Sequence, residues 1–233
     1  MKELGIARTD FTILRTPADL DRYVKEAYSL IAADQAMRKN ARLHKEPYKA
    51  FLEEVLPFSH FCTWKYTECR DVLCALTSDT SRHGTPGQDA IVRDPISGEE
   101  HSVELTWPVD GSHMFRQALQ MNEQGHTEFE IYDYDDVSRQ KEAVERTLAI
   151  AKKKCLRDYR SQGGSTIIFI FDRSLFWDDN PKHIDLLNSM RKGLSSMPFL
   201  VDEVLLMLVF GDQKQIIRVE STEHVASVDA SHH

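Results

Sequence analysis

The chain has 233 residues, 41% of them hydrophobic and 28% charged, and a formal net charge of −8. This is ordinary globular composition, enough for a real core in one large domain or a domain with an N-terminal appendage. It excludes an indiscriminate nucleic-acid coat, which needs an excess of Lys and Arg against phosphates. No apolar run approaches the ~18 residues of a membrane span, and the first residues carry no apolar stretch of the secretory kind, so the reading expects a cytoplasmic protein with no membrane partner.

The stretch 17–43 opens with Pro17 and acidic residues and spaces Leu20, Tyr23, Val24, Ala27, Leu30 and Ile31 at helical intervals, which predicts one helix. A second is predicted over 46–56, with Tyr48, Phe51, Leu52 and Val55 on one face and Pro57 as its terminator. The period then shortens. "FCTWKY", "DVLCALTS", "DAIV" and "HSVELTW" read as strands, with the Ser/Gly/Pro cluster "SDTSRHGTPGQ" as a turn region among them. A short helix is predicted over "MFRQALQMNEQG", and "TEFEIYDYDDV" is read as a strand or an acidic loop. A long amphipathic helix follows over 138–160, with Ser138 as its cap and basic residues in its last turns. "GGSTIIFIFD" is continuously apolar, as a strand covered on both faces requires. A helix near 181–194, the strand "VLLMLVFG" and the edge or hairpin strand "QIIRVE" close the order, which implies an α/β sandwich with a mixed sheet.

Two carboxylates stand out. Asp89 heads the strand "DAIV" and Glu104 interrupts "SVELTW", with the turn "DPISGEE" between. If the two strands form a hairpin, the carboxylates converge, and like charges that close both ionise comfortably only around a cation. Oxygen-only ligation suits magnesium or manganese, which lowers the pKa of a bound water and neutralises phosphate charge. The plainer alternative is that Asp89 caps a turn and that Glu104, opposite in face to Val103, Leu105 and Trp107, meets solvent.

The order helix, β-meander, helix, apolar strand, with "PGQDAIV" and "VELTW" carrying the acidic residues, resembles the PD-(D/E)XK, or restriction-endonuclease-like, nuclease superfamily over roughly residues 46–172. The resemblance implies an α/β fold, a restriction-endonuclease-like α/β/α sandwich with a mixed central sheet, at 46–233, preceded by an N-terminal helical extension at 1–45. It implies that Asp89 and Glu104 are metal ligands and catalytic residues, that the Leu105 carbonyl adds an oxygen, and that Mg2+ or Mn2+ is the cofactor. The superfamily's E-x-K is E-x-T here, with Thr106 in place of the Lys. A hydroxyl cannot bring a positive charge, so Lys141 and Lys152 are the candidates to supply it. A helical Glu completes the superfamily's site; Glu46, Glu53 and Glu54 compete, with Glu46 preferred.

The implied activity is a metal-dependent phosphodiesterase acting on DNA or RNA, in a mobile-element or defence setting. Thr106 and the net charge favour an alternative, a catalytically inactive nuclease-fold protein that binds or regulates a partner, with a protein partner or a homodimer as the form this takes. A third reading makes Asp89 and Glu104 structural in an interaction protein. Other features have bland readings. The basic run Lys152–Lys154 with Arg157 and Arg160 suits a solvated helix end or a phosphate backbone. His83 is a loop histidine. The set His60, Cys62, Cys69, Cys74 fits no common zinc spacing.

Overall fold

A computed structural model describes residues 6–68, 71–77, 88–108, 111–125, 137–176, 179–210 and 213–220, and shows an α/β fold. Two compact units share the chain: 1–105 with 110–131, and 106–109 with 132–233. Among the described residues no helix is long and apolar enough to cross a membrane.

In the first unit, helix α1 (Arg8–Phe11) precedes α2 (Pro17–Ala33), where the Thr16 side chain accepts from the Asp19 amide and Pro17 takes the first turn. Leu20, Tyr23, Val24, Ala27 and Ile31 form its buried stripe. The single helix expected to run to 43 breaks at Asp34, whose backbone is extended and whose carboxylate accepts from the Met37 amide at 2.7 Å, starting α3 (Gln35–Arg42). An aspartate gains more from capping an amide than from a helix interior.

Pro57 does not end the next helix. Helix α4 (Tyr48–Ala50) passes into a π-helical turn, Phe51–Val55, and on into α5 (Leu56–Lys65). The Leu56 amide donates to the Phe51 carbonyl five residues back, a wider turn that leaves room for the Pro57 ring beside the carbonyl four residues before it. The expected strand "FCTWKY" lies within α5. Its Phe58, Phe61 and Cys62, at helical spacing, are fully buried, and that burial overrides the strand preference of aromatic residues.

Strands β1 (Leu73–Leu76), β2 (Ala90–Arg93) and β3 (Glu100–Thr106) form an antiparallel meander, as their period predicts. The Arg15 and Cys74 backbones exchange hydrogen bonds at 2.7 and 3.0 Å, tying the N-terminal segment to β1. Helix α6 (Gly111–Gln124) matches the helix expected there and is longer by three residues at its start.

The second unit contains α7 (Ser138–Lys154), β4 (Ser165–Asp172), α8 (Pro181–Ser195), β5 (Glu203–Phe210) and β6 (Gln213–Val219). Ser138 is not the cap of α7: Val137 holds that position, with no side-chain hydrogen bond. The helix stops at Lys154, short of the expected 160, and the chain beyond it hydrogen-bonds from the Tyr159 amide to the Leu200 carbonyl. Strands β4 and β5 are parallel, linked through α8, and β6 returns antiparallel on β5. Ile167, Phe169, Phe171, Leu206 and Leu208 pack with Ala143, Val144 and Ala151 of α7 and Met190 and Leu194 of α8. The acidic stretch 127–136 and the turn region 78–87, with His83, lie outside the described residues, as does Cys69.

Candidate functional site

The site begins with a turn. Between β2 and β3, the Asp94 carboxylate accepts from the Ile96 amide at 2.7 Å and the Ser97 amide at 3.3 Å, and the Gly98 amide donates to the Asp94 carbonyl at 2.8 Å. Gly98 takes φ 76°, a backbone region that disfavours residues with a Cβ. The Ile96 amide and then the Ser97 amide hold the Asp94 carboxyl below the ordinary carboxylate range. This turn, closed by the Asp94 amide on the Glu99 carbonyl and by the Arg93–Glu100 ion pair, fixes the register of the two strands.

That register pairs Ala90 with Val103. Carried one residue outward, it sets Asp89 opposite Glu104, and directly opposed residues in an antiparallel pair are the closest cross-strand neighbours. The ladder continues on the β1 side, where the Thr77 amide donates to the Asp89 carbonyl at 3.0 Å. The Leu105 amide donates to Asp89 Oδ2 at 2.6 Å. A strand residue's N–H and C=O point toward the same neighbour, so the Leu105 carbonyl also faces the Asp89 side. Asp89, Glu104 and the Leu105 backbone therefore converge at one end of the β2–β3 pair.

Strand β3 alternates with unusual regularity. His101, Val103 and Leu105 fall on one face, where His101 stacks on Phe61 of α5 with ring centroids 6.2 Å apart. Glu100, Ser102, Glu104 and Thr106 fall on the other. This polar face is not wet: Ser102 is 2% exposed, Glu104 8% and Thr106 7%. The reading of Glu104 as a solvent-facing residue is corrected here, because β3 is covered on both sides. The Thr106 hydroxyl is buried and has no hydrogen-bond partner among the described residues.

The remaining candidates have surroundings of their own. Glu46 is half exposed and paired with Arg8 at 3.3 Å. Glu53 holds His44 Nδ1 at 2.7 Å. Glu54, on the same π-helical turn, is 3.8 Å from Arg8, and burial raises its carboxyl above the ordinary range against the pull of Arg8. The burial of Glu54 is something a helical wheel cannot reveal. Lys141 and Lys152 are exposed on α7, in the second unit. Cys62 and Cys74 are buried cysteines in no disulfide among the described residues. Among the described residues no group of three His, Cys, Asp or Glu side chains could hold a metal, so an ion at Asp89 and Glu104 would complete its shell with backbone, water or substrate oxygens. Sequence reasoning missed Thr77 as the third member of the row and the Asp94 turn as its lock; the signal for the latter was "DPISG", an Asx-turn composition.

No family model, no curated protein and no solved structure matches the chain.

Proposed function

We propose that the chain is a metal-dependent phosphodiesterase of endonuclease type acting on DNA or RNA, with the restriction-endonuclease-like sandwich as its fold. The observation that carries this reading is the contact of Asp89 with β3, where its Oδ2 accepts from the Leu105 amide at 2.6 Å beside Glu104, which is withdrawn from water on a covered strand. Oxygen donors from Asp89, Glu104 and the Leu105 carbonyl fit magnesium or manganese, which keep several waters and are commonly held by one or two carboxylates together with phosphate oxygens. Such an ion, when bound, supplies an acidified water and neutralises phosphate charge.

In this reading Asp89 and Glu104 hold and orient the ion. The Leu105 amide keeps Asp89 in place from the side. Thr106, one step along the face from Glu104, contributes a hydroxyl and no charge. Full rate then requires a positive charge that Thr106 does not bring. Thr106 is also the specific observation that favours the second reading, a nuclease-fold protein that binds nucleic acid or a protein partner, a second copy included, without cutting.

Purified protein is incubated with single- and double-stranded DNA and RNA in Mg2+ and in Mn2+, beside Glu104→Gln. The expected result is metal-dependent cleavage that falls on the order of 100- to 1000-fold in the variant, the usual scale of one preorganised electrostatic contact. Intact substrates throughout, with Mn2+ still bound by wild type and lost in Glu104→Gln on calorimetry, would select the non-cutting reading. Equal Mn2+ binding by both proteins would remove the metal site itself.

A further inference from the structure

The end of α7 carries a charge imbalance that the helix dipole explains only for its last turn. Within 152–160, "KKKCLRDYR", five cations face one acid, in a chain whose net charge is −8. Asp158 is taken by Arg160, which donates to it at 2.7 and 2.9 Å and holds its carboxyl down to about 2. Lys152, Lys153 and Arg157 are exposed and make no ion pair among the described residues. Solubilising lysines on helices usually sit three or four residues from a Glu. Here the positions that far from Lys152 and Lys153 hold Leu148, Ala149, Ile150, Cys155, Leu156 and Arg157, none of them acidic. The helix dipole rewards cations in the last turn only, and Arg157 lies beyond the helix end at Lys154.

We infer that Lys152, Lys153 and Arg157 form a contact surface for the phosphate backbone of a nucleic acid. The inference rests on the proposed nuclease-type reading and specifies where such a substrate is gripped. An anionic membrane is the other polyanion of this kind. It is disfavoured because an interfacial helix needs an open apolar face. That of α7 is spent on the core through Ala143, Val144 and Ala151, leaving Leu156, 83% exposed, as a lone apolar side chain. Guanidinium and ammonium groups projecting from one helix end make position-fixing contacts with phosphates and carry no sequence information.

The test is binding without chemistry. Anisotropy of labelled duplex DNA, duplex RNA and single strands is measured in EDTA over a salt series. Three proteins are compared: wild type, the triple variant Lys152→Gln, Lys153→Gln, Arg157→Gln, and the charge-preserving triple Lys152→Arg, Lys153→Arg, Arg157→Lys. Each lost phosphate contact flattens the log–log salt slope by about 0.9, so the Gln triple should be shallower by about 2 to 3 and weaker by on the order of 100-fold at physiological salt, while the charge-preserving triple binds like wild type. Equal slopes in wild type and the Gln triple overturn the inference. So does wild type that binds phosphatidylserine vesicles and no nucleic acid. Cleavage by wild type separates the two claims: a flattened slope in the Gln triple together with no cleavage by wild type keeps the phosphate surface and removes the phosphodiesterase, whereas cleavage by wild type with equal slopes in wild type and the Gln triple does the reverse.

Discussion

Strands β3 and β4 are buried alike and built from opposite chemistry. From Ser165 to Phe171 every residue of β4 is buried, and the five from Ile167 to Phe171 are Ile or Phe, fully or almost fully shielded. From His101 to Thr106 every residue of β3 is buried too, yet Ser102, Glu104 and Thr106 occupy one face in succession. The first arrangement is what hydrophobic burial selects, at roughly 25 cal/mol per Å² of apolar surface removed from water. The second runs against that selection, since Ser102, Glu104 and Thr106 put polar side chains where apolar ones would bury more hydrocarbon. A polar face kept under cover breaks the local rule, and such places are where function is sought. This is why the carboxylate pair, and no feature of β4–β6, is the candidate centre.

The contrast can be broken from the apolar side first. Phe169→Ala leaves a cavity in the packed interior of β4 and should cost about 3 to 5 kcal/mol, a large part of a typical domain's stability. Urea denaturation measures it. A loss below about 1 kcal/mol would mean that β4 is not the rigid interior its burial describes, and the contrast would lose one of its terms.

The polar side should respond in the opposite direction. Thr106→Val keeps the branched shape and deletes a hydroxyl that has no partner among the described residues. Stability in metal-free buffer should rise by about 1 kcal/mol, because the penalty for burying that hydroxyl disappears. Mn2+ affinity should fall at the same time if the hydroxyl serves a bound water. A fall in stability would show that Thr106 is an ordinary satisfied core residue, and β3 would then be a polar-lined structural strand.

How much of this was legible follows the same division. The continuous "TIIFIF" of β4, the apolar spacing of α2 and α7 and the alternation of "EHSVELT" each impose one period, so element type could be read directly. "FCTWKY" could not, because Phe58, Phe61 and Cys62 satisfy a helical stripe while the composition argues strand, and only packing decides. Pro57 misled for a related reason: the π-helical turn that accommodates it is a hydrogen-bond shift that no side-chain pattern announces. The opposition of Asp89 and Glu104 was reachable as a conditional, given a hairpin. Its burial was not, since alternation tells which face a residue is on and never what covers that face. Nor could spacing tell that Glu46 and Glu54 share Arg8.

The smallest expected effect tests the lock that holds the comparison in place. Asp94 is half-buried, and its carboxyl is held below the ordinary range by the Ile96 and Ser97 amides. A carboxylate whose folded pKa is depressed contributes stability that is present above its unfolded pKa, near 3.8, and lost as pH falls through the folded pKa. The difference in stability between wild type and Asp94→Ala should therefore be constant from neutrality down to the ordinary carboxylate range, and shrink below it as wild-type Asp94 takes up its proton. Asp94→Asn separates charge from geometry: its side-chain oxygen can still accept from both amides, so it should fall between the two and show no acid-dependent loss of its own. Backbone exchange adds the structural readout. If the turn fixes the register, the ladder amides of β2 and β3 lose protection in Asp94→Ala while those of β4 and β5 do not, and Mn2+ binding weakens although neither carboxylate of the pair has been touched. Unchanged exchange across β2 and β3 would show that Gly98 and the Arg93–Glu100 pair hold the hairpin by themselves.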